Sequence, residues 1–220
     1  MKNPFTTEEL ERIKQAVTEA EQRTSGEIVP YIVDRSGEYD VAIWRAASIA
    51  AVLALAVSVF IQQFYDGWRL AWVYTGWGTA LLALVAGMAG AVCAQLIPGL
   101  QRRLAGSALL DRTVHQRALQ EFVEEEIFNT RDRTGILIFI SLFEHRIEVI
   151  GDTGINRLVS ADDWADVVLR IRDGIKSGHL AEGIIEAIHM CGHLLERSGV
   201  AVRHDDIDEL RNELRVKRGR

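Results

Sequence analysis

Gly135-Ile136-Leu137-Ile138-Phe139-Ile140-Ser141-Leu142 is the strongest strand-forming stretch in the chain. Branched and aromatic side chains follow one another with no polar alternation, the composition of a strand covered on both faces. Phe143-Glu144-His145 then predicts a turn into a second strand, Arg146–Ile150, forming an antiparallel pair. Upstream, Glu27–Val33 has the same continuous apolar character and reads as another central strand. A strand, a crossover and a second strong apolar strand predict a parallel pair in a layered α/β sandwich.

The crossover holds two long apolar runs. The first is Val41–Phe64, free of charge from Ala46 onward, and the second is Leu70–Leu100. Each exceeds the roughly 18 to 20 residues that a helix needs to cross about 30 Å of hydrocarbon. Between Arg45 and Gln101 the only charged side chains are Asp66 and Arg69. Gln62–Arg69 leaves room for nothing but a tight turn, so the runs predict a transmembrane hairpin over about 42–64 and 70–97. Trp44 at one end, and Tyr65, Trp68, Trp72 and Tyr74 at the other, suit interfacial belts. Small residues recur at Ala46, Ala50, Ala54 and Ser58, and at Ala83, Gly87 and Ala91, spacings that let two helices approach closely.

Orientation follows from positive charge beside the membrane ends. Arg35, Arg45, Arg102, Arg103, Arg112 and Arg117 flank the hairpin, against Arg69 alone in its loop. The expectation is a multi-pass inner or plasma membrane protein with both termini and the soluble domain in the cytoplasm. Met1–Thr7 carries one lysine and no apolar core, so no cleaved secretory signal is expected.

Around the hairpin the pattern is that of an ordinary soluble domain. Thr6–Arg23 predicts a helix, capped by Thr6 or Thr7 and carrying acids in its first turn. Asp111–Phe128 predicts another, with Val114, Ala118, Phe122, Val123 and Ile127 on one side. Ala161–Ser177 and His179–Arg197 close the domain. The expected fold is a three-layer α/β/α sandwich with a small mixed sheet, interrupted by the two-helix transmembrane hairpin. Its pieces are 1–35 and 104–200, with the hairpin over 41–100. The charged tail, 201–220, holds a short helical pattern over Asp205–Val216 and otherwise reads as solvated.

Composition excludes some functions. The net charge of −6, from 25 basic and 31 acidic residues, gives no clustered basic face, so no nucleic acid is expected as a partner. The mean hydropathy of +0.05 averages a charged domain with an apolar hairpin. Cys93 and Cys191 are too few for a disulfide framework and read as reduced thiols.

Several stretches resemble the TPM domain family, named for thylakoid lumen, photosystem repair and worm receptor-modulating proteins. They are Thr24–Val29, Arg133–Ile138, Arg146–Ile155, and Gly183-Ile184-Ile185 with Ala187-Ile188. The resemblance spans about Thr6–Val33 and Asp111–Arg197. It implies an α/β/α sandwich and, for some members, acid phosphatase activity or divalent-cation binding. The internal hairpin departs from the arrangement of many relatives, which hold the domain outside the cytoplasm behind a signal peptide and one terminal anchor.

The strand directions also suggest where chemistry lies. An antiparallel third strand brings Asp152 to the sheet edge where the first strand starts at Glu27. Asp132-Arg133-Thr134 reaches the same edge, and Asp162 or Asp163 follows soon after. Glu27, Asp152 and Asp163 are therefore candidate ligands for Mg²⁺ or Ca²⁺, which bind oxygen donors and can polarise a phosphate. The structural alternative pairs Glu27 with an arginine, gives Asp152 to a glycine-flanked turn, and uses Ser160 or Asp162 as a helix cap. His189 and His193 have a zinc-ligand spacing but no third ligand, and read as surface residues.

No Walker loop, dinucleotide fingerprint, nucleophile elbow or paired Cys-x-x-Cys is present. The leading expectation is a membrane-anchored binding or assembly module that contacts a membrane-associated protein, with oligomers allowed. The alternative is a divalent-metal-dependent phosphatase acting on phosphate esters. A channel is poorly supported, because the two spans embed no charge.

Overall fold

The structure, a computed structural model, describes residues 5–64, 75–200 and 210–217. It divides into two compact units, one formed by Met1–Gly37 with Arg112–Arg220 and the other by Glu38–Asp111.

The first unit is built on β1 (Ile28–Val33), β2 (Ile136–Ser141), β3 (Arg146–Gly151) and β4 (Arg215–Lys217), in spatial order β3-β2-β1-β4. β1 runs parallel to β2, with Ile28 opposite Ile136 and Val33 opposite Ser141, and β3 is antiparallel to β2. The predicted mixed sheet is thus present, and its central strands are buried at every position. Odd and even residues of β1 face opposite layers. Ile28 and Ile32, with Ile136, Ile138 and Ile140, pack under α1 (Thr7–Glu21), α7 (Ala161–Ser177) and α8 (Leu180–Arg197). Val29, Tyr31 and Val33, with Leu137 and Phe139, pack against Val114 and Ala118 of α5 (Ser107–Glu124). Each fully buried isoleucine or phenylalanine contributes about 1.5–3 kcal/mol, which is why two strands without polar alternation can anchor three layers.

Local chemistry sets the ends of these elements. Thr6 and Glu9 form a capping box on α1, and Ser160 and Asp163 form another on α7. α5 stops at Glu124, earlier than the Phe128 predicted, because Glu126 turns the backbone at φ 54°. A four-residue helix, α6 (Thr153–Asn156), follows β3.

The C-terminal part corrects the predicted helical pattern over Asp205–Val216. Residues 205–209 lie outside the described residues, and over 210–217 there is no helix but a strap that includes β4, parallel to β1. Periodicity failed here because three residues, Arg-Val-Lys, complete a sheet edge through partners distant in sequence.

The second unit contains α2 (Asp40–Phe64), α3 (Gly76–Leu96) and α4 (Pro98–Ala105). α2 and α3 form an antiparallel hairpin, each long and apolar enough by length and composition to cross a membrane. The turn predicted at Gln62–Arg69 lies mostly outside the described residues. Ala46, Ser58, Gly78 and Ala94 are buried between the helices, while Trp44, Leu53, Phe60, Trp77, Leu84 and Leu96 point outward. A β-carbon at Gly90 would sit 2.7 Å from the Ala46 carbonyl oxygen and the Ala50 methyl, so only glycine permits this approach. On α3 the closest packing therefore falls at Gly90 and Ala94, beside the Ala83-Gly87-Ala91 row predicted. Pro98 ends the second run and starts α4, whose last carbonyls, at Leu104 and Ala105, accept hydrogen bonds from Arg45 at 2.6 and 3.1 Å.

Candidate functional site

At the start of β1 the sheet ends in a buried polar cluster. Thr24, Glu27, Thr130, Thr134 and Asp152 are all nearly inaccessible. The ladder brings them together: Ile136 N–H donates to the Glu27 carbonyl at 2.8 Å, and Asp152 N–H donates to the Gly135 carbonyl at 2.9 Å. Thr134 stitches across, its hydroxyl on the Ser25 carbonyl at 3.2 Å and its N–H on the Thr130 hydroxyl at 3.1 Å. Glu27 and Asp152 therefore occupy one end of the sheet.

Asp152 is held by its own fold. Oδ2 lies 2.8 Å from Arg133 Nε, and Oδ1 accepts from Thr153 N–H at 2.6 Å as the N-cap of α6. Gly154 N–H donates to the Arg133 carbonyl at 2.9 Å, and any β-carbon at Gly154 would collide with the carbonyls of Asp132 and Arg133. Arg133 itself has φ 59°, a conformation costing about 1 kcal/mol or more in a non-glycine residue. Two loops are clamped here, with a guanidinium in the place a cation would take beside Asp152.

Asp163 is engaged with a different set of partners. Oδ2 accepts from the Ser160 hydroxyl at 2.6 Å and Oδ1 pairs with Arg197 of α8 at 2.6 Å. Those hydrogen bonds, Ser160 first and then Arg197, hold its carboxyl below the usual aspartate range. Among the described residues no three histidine, cysteine or acidic side chains converge as a metal site. His193 pairs loosely with Glu196 at 3.6 Å, and Cys93 and Cys191 are free thiols. Burial pushes the Cys191 thiol up to about 12.

Two further buried carboxylates went unforeseen. At the opposite end of the sheet Glu144 accepts from the Ser141 hydroxyl and from Ser36 N–H at 3.0 Å, with the two serine hydroxyls 2.7 Å apart. Beneath α5, fully buried Glu121 accepts from the Tyr31 hydroxyl and pairs with Arg117 at 2.6 Å and Lys217 at 3.1 Å. Burial, then the hydrogen bond to Glu121, drives the Tyr31 phenol far above its ordinary range, so it stays a donor. Lys217 also reaches Glu124 at 2.9 Å, and that hydrogen bond raises the ammonium above the usual lysine value. The signal for Glu121 was its place beside Val114 and Ala118 on the apolar stripe of its helix.

No protein-family model matches the chain, and no curated protein matches it. Among solved structures, the NMR structure of BA42 protein from the psychrophilic bacterium Bizionia argentinensis is similar. The TM-score is 0.60 at 21% sequence identity, over 99% of this chain and 98% of that one. A likeness at this identity establishes a shared fold, and function has to be argued from the site.

Proposed function

We propose that the chain is a two-span membrane protein that presents a TPM-like domain at the cytoplasmic face as a binding or assembly module for a membrane-associated protein. The observation that carries the reading is the outward face of the hairpin, where Phe60, Leu84 and Leu96 are 62%, 62% and 75% exposed. Large apolar side chains in that density suit lipid, not water. Because β1 and β2 pair and the hairpin lies between them in sequence, both of its ends return to one side of the bilayer. The arginines flanking the hairpin favour the cytoplasmic side. The residues of the polar sheet end bind one another, which supports a scaffold over a catalyst. Membranes from expressing cells test the anchor: the chain stays in the pellet after an alkaline carbonate wash, and release into the supernatant contradicts it.

A second reading, a divalent-metal-dependent phosphatase using Mg²⁺ or Ca²⁺, draws on Glu27 and Asp152 at one sheet end together with the family resemblance. It requires a cation to displace Arg133 from Asp152. Metal-dependent turnover of a phosphate ester by the purified chain, abolished in Asp152→Asn, favours the enzyme. Absence of turnover with every divalent ion tried removes it.

A further inference from the structure

The free edge of β1 is closed along most of its length. Glu27 offers its carbonyl to β2, so the backbone groups of Ile28, Pro30 and Ile32 point the other way, as does the N–H of Asp34, whose carbonyl accepts from Phe143 N–H at 2.9 Å. Ile28 N–H is capped by the Glu21 carboxylate at 3.1 Å, and Pro30 has no N–H. What remains is a slot at Ile32–Asp34, and β4 sits in it, with Asp34 N–H donating to the Lys217 carbonyl at 3.4 Å. The slot is short because proline and a carboxylate block the rest of the edge.

α5 gives this slot a chemical preference. Residues two apart on a strand share a face, and Arg215 and Lys217 both face α5. There Arg215 Nε meets Glu125 at 2.6 Å, and Lys217 Nζ meets Glu121 and Glu124 at 3.1 and 2.9 Å. Val216, between them, is 40% exposed and adds little apolar burial. The resident strand is held by a short ladder, by Leu210 and Leu214 of the preceding strap packing on the two hydrophobic clusters, and by charge pairs, of which Lys217–Glu124 is nearly half exposed on both sides and holds weakly. With β4 absent Glu121 keeps Tyr31 and Arg117, so the acceptor side is already organised.

We propose that the β1 edge is a strand-recognition site for an extended basic segment of another protein, with cationic residues two apart, and that β4 is its resident intramolecular occupant. The added strand runs parallel to β1 and supplies an arginine to Glu125 and a lysine to Glu121 and Glu124, a mode in which main-chain bonds give affinity and alternate side chains give specificity. This rests on the binding-module reading and names the chemistry of the partner.

The test uses a labelled peptide of residues 210–220 and detergent-purified protein, read by fluorescence anisotropy. Two acceptors are compared with the full chain: residues 1–209, and the full-length Arg215→Glu/Lys217→Glu variant, in which the tethered strand is repelled by α5. Both acceptors are expected to bind the peptide at least tenfold more tightly than the full chain does. Adding Glu124→Lys and Glu125→Lys to either acceptor is expected to weaken binding at least tenfold, and a peptide with Glu at 215 and 217 to recover it. If residues 1–209 do not fold alone, peptide-dependent recovery of their circular dichroism supports the site equally. Three results overturn the proposal. They are failure of both acceptors to bind, binding indifferent to the charge reversals, and light scattering showing the full chain as a dimer that loses its partner when 210–220 is removed, which assigns the slot to a second copy. None of these readouts depends on the membrane, so the carbonate wash judges the anchor separately.

Discussion

α3 and α8 are helices of 21 and 18 residues, both rich in glycine, alanine and branched side chains, yet they place those side chains in opposite ways. α8 hides Ile184, Ile188, Cys191 and Leu195 and turns Glu186, His193 and Glu196 outward. α3 buries only Gly78 and Ala94 and turns Trp77, Leu84, Met88 and Leu96 outward. Composition alone does not separate the two helices; small residues are buried in both, and what differs is which face the large apolar residues occupy. α8 packs large and small residues together and turns polar ones outward, whereas α3 packs small residues and turns large apolar ones outward, the arrangement that the proposed lipid contact would require.

The contrast is broken or sharpened by placing charge on each helix. Ile188→Arg buries an unpaired cation under the sheet and is expected to abolish cooperative unfolding of the α/β domain, followed by tryptophan fluorescence. Leu84→Arg is expected to leave that transition intact while costing about 3 kcal/mol of insertion free energy, seen as loss from the washed membrane pellet. An equal effect of both on the domain would make α3 a core helix.

Glu121→Ala is expected to cost about 3 kcal/mol in urea denaturation, because Tyr31 and Arg117 lose the carboxylate between them. Gly154→Val forces the two clamped loops apart and is expected to cost about 2 kcal/mol by the same measurement. The smallest effect is at Asp163. Its folded-state carboxyl is depressed, so its contribution is present above the ordinary aspartate range and is lost as pH falls through the lower folded value. Asp163→Asn is expected to lower stability slightly, with the full effect at pH 7, to differ less and less from the parent as pH falls below about 4, and so to flatten the acid limb of the stability–pH curve.

The central fold was legible where physics is local. β1 and β2 announce themselves because both of their faces are covered, so every residue is apolar. The hairpin is legible because charge is absent over whole turns of helix. The α7 bounds were read correctly, since Ser160 and Gly178 punctuate both ends. β4 was not legible, because an Arg-Val-Lys triplet in a charged tail becomes a strand only through Glu121, Glu124 and Glu125, some ninety residues upstream. At the polar sheet end the strand directions placed Glu27 and Asp152 together, but the Arg133 pairing depends on a left-handed backbone that no spacing encodes. Asp163 had a readable second role, because Ser160-x-x-Asp163 has the spacing of a capping box.

The proposed membrane anchor, lying between two strands that pair in parallel, requires an even number of crossings, and that requirement is its most direct test. Paired topology reporters test it, one fused after Arg220 and one inserted between Asp66 and Arg69. The account predicts a cytoplasmic signal from the C-terminal fusion and an external signal from the loop. Reporters on the same side, or an external C-terminus, would contradict it.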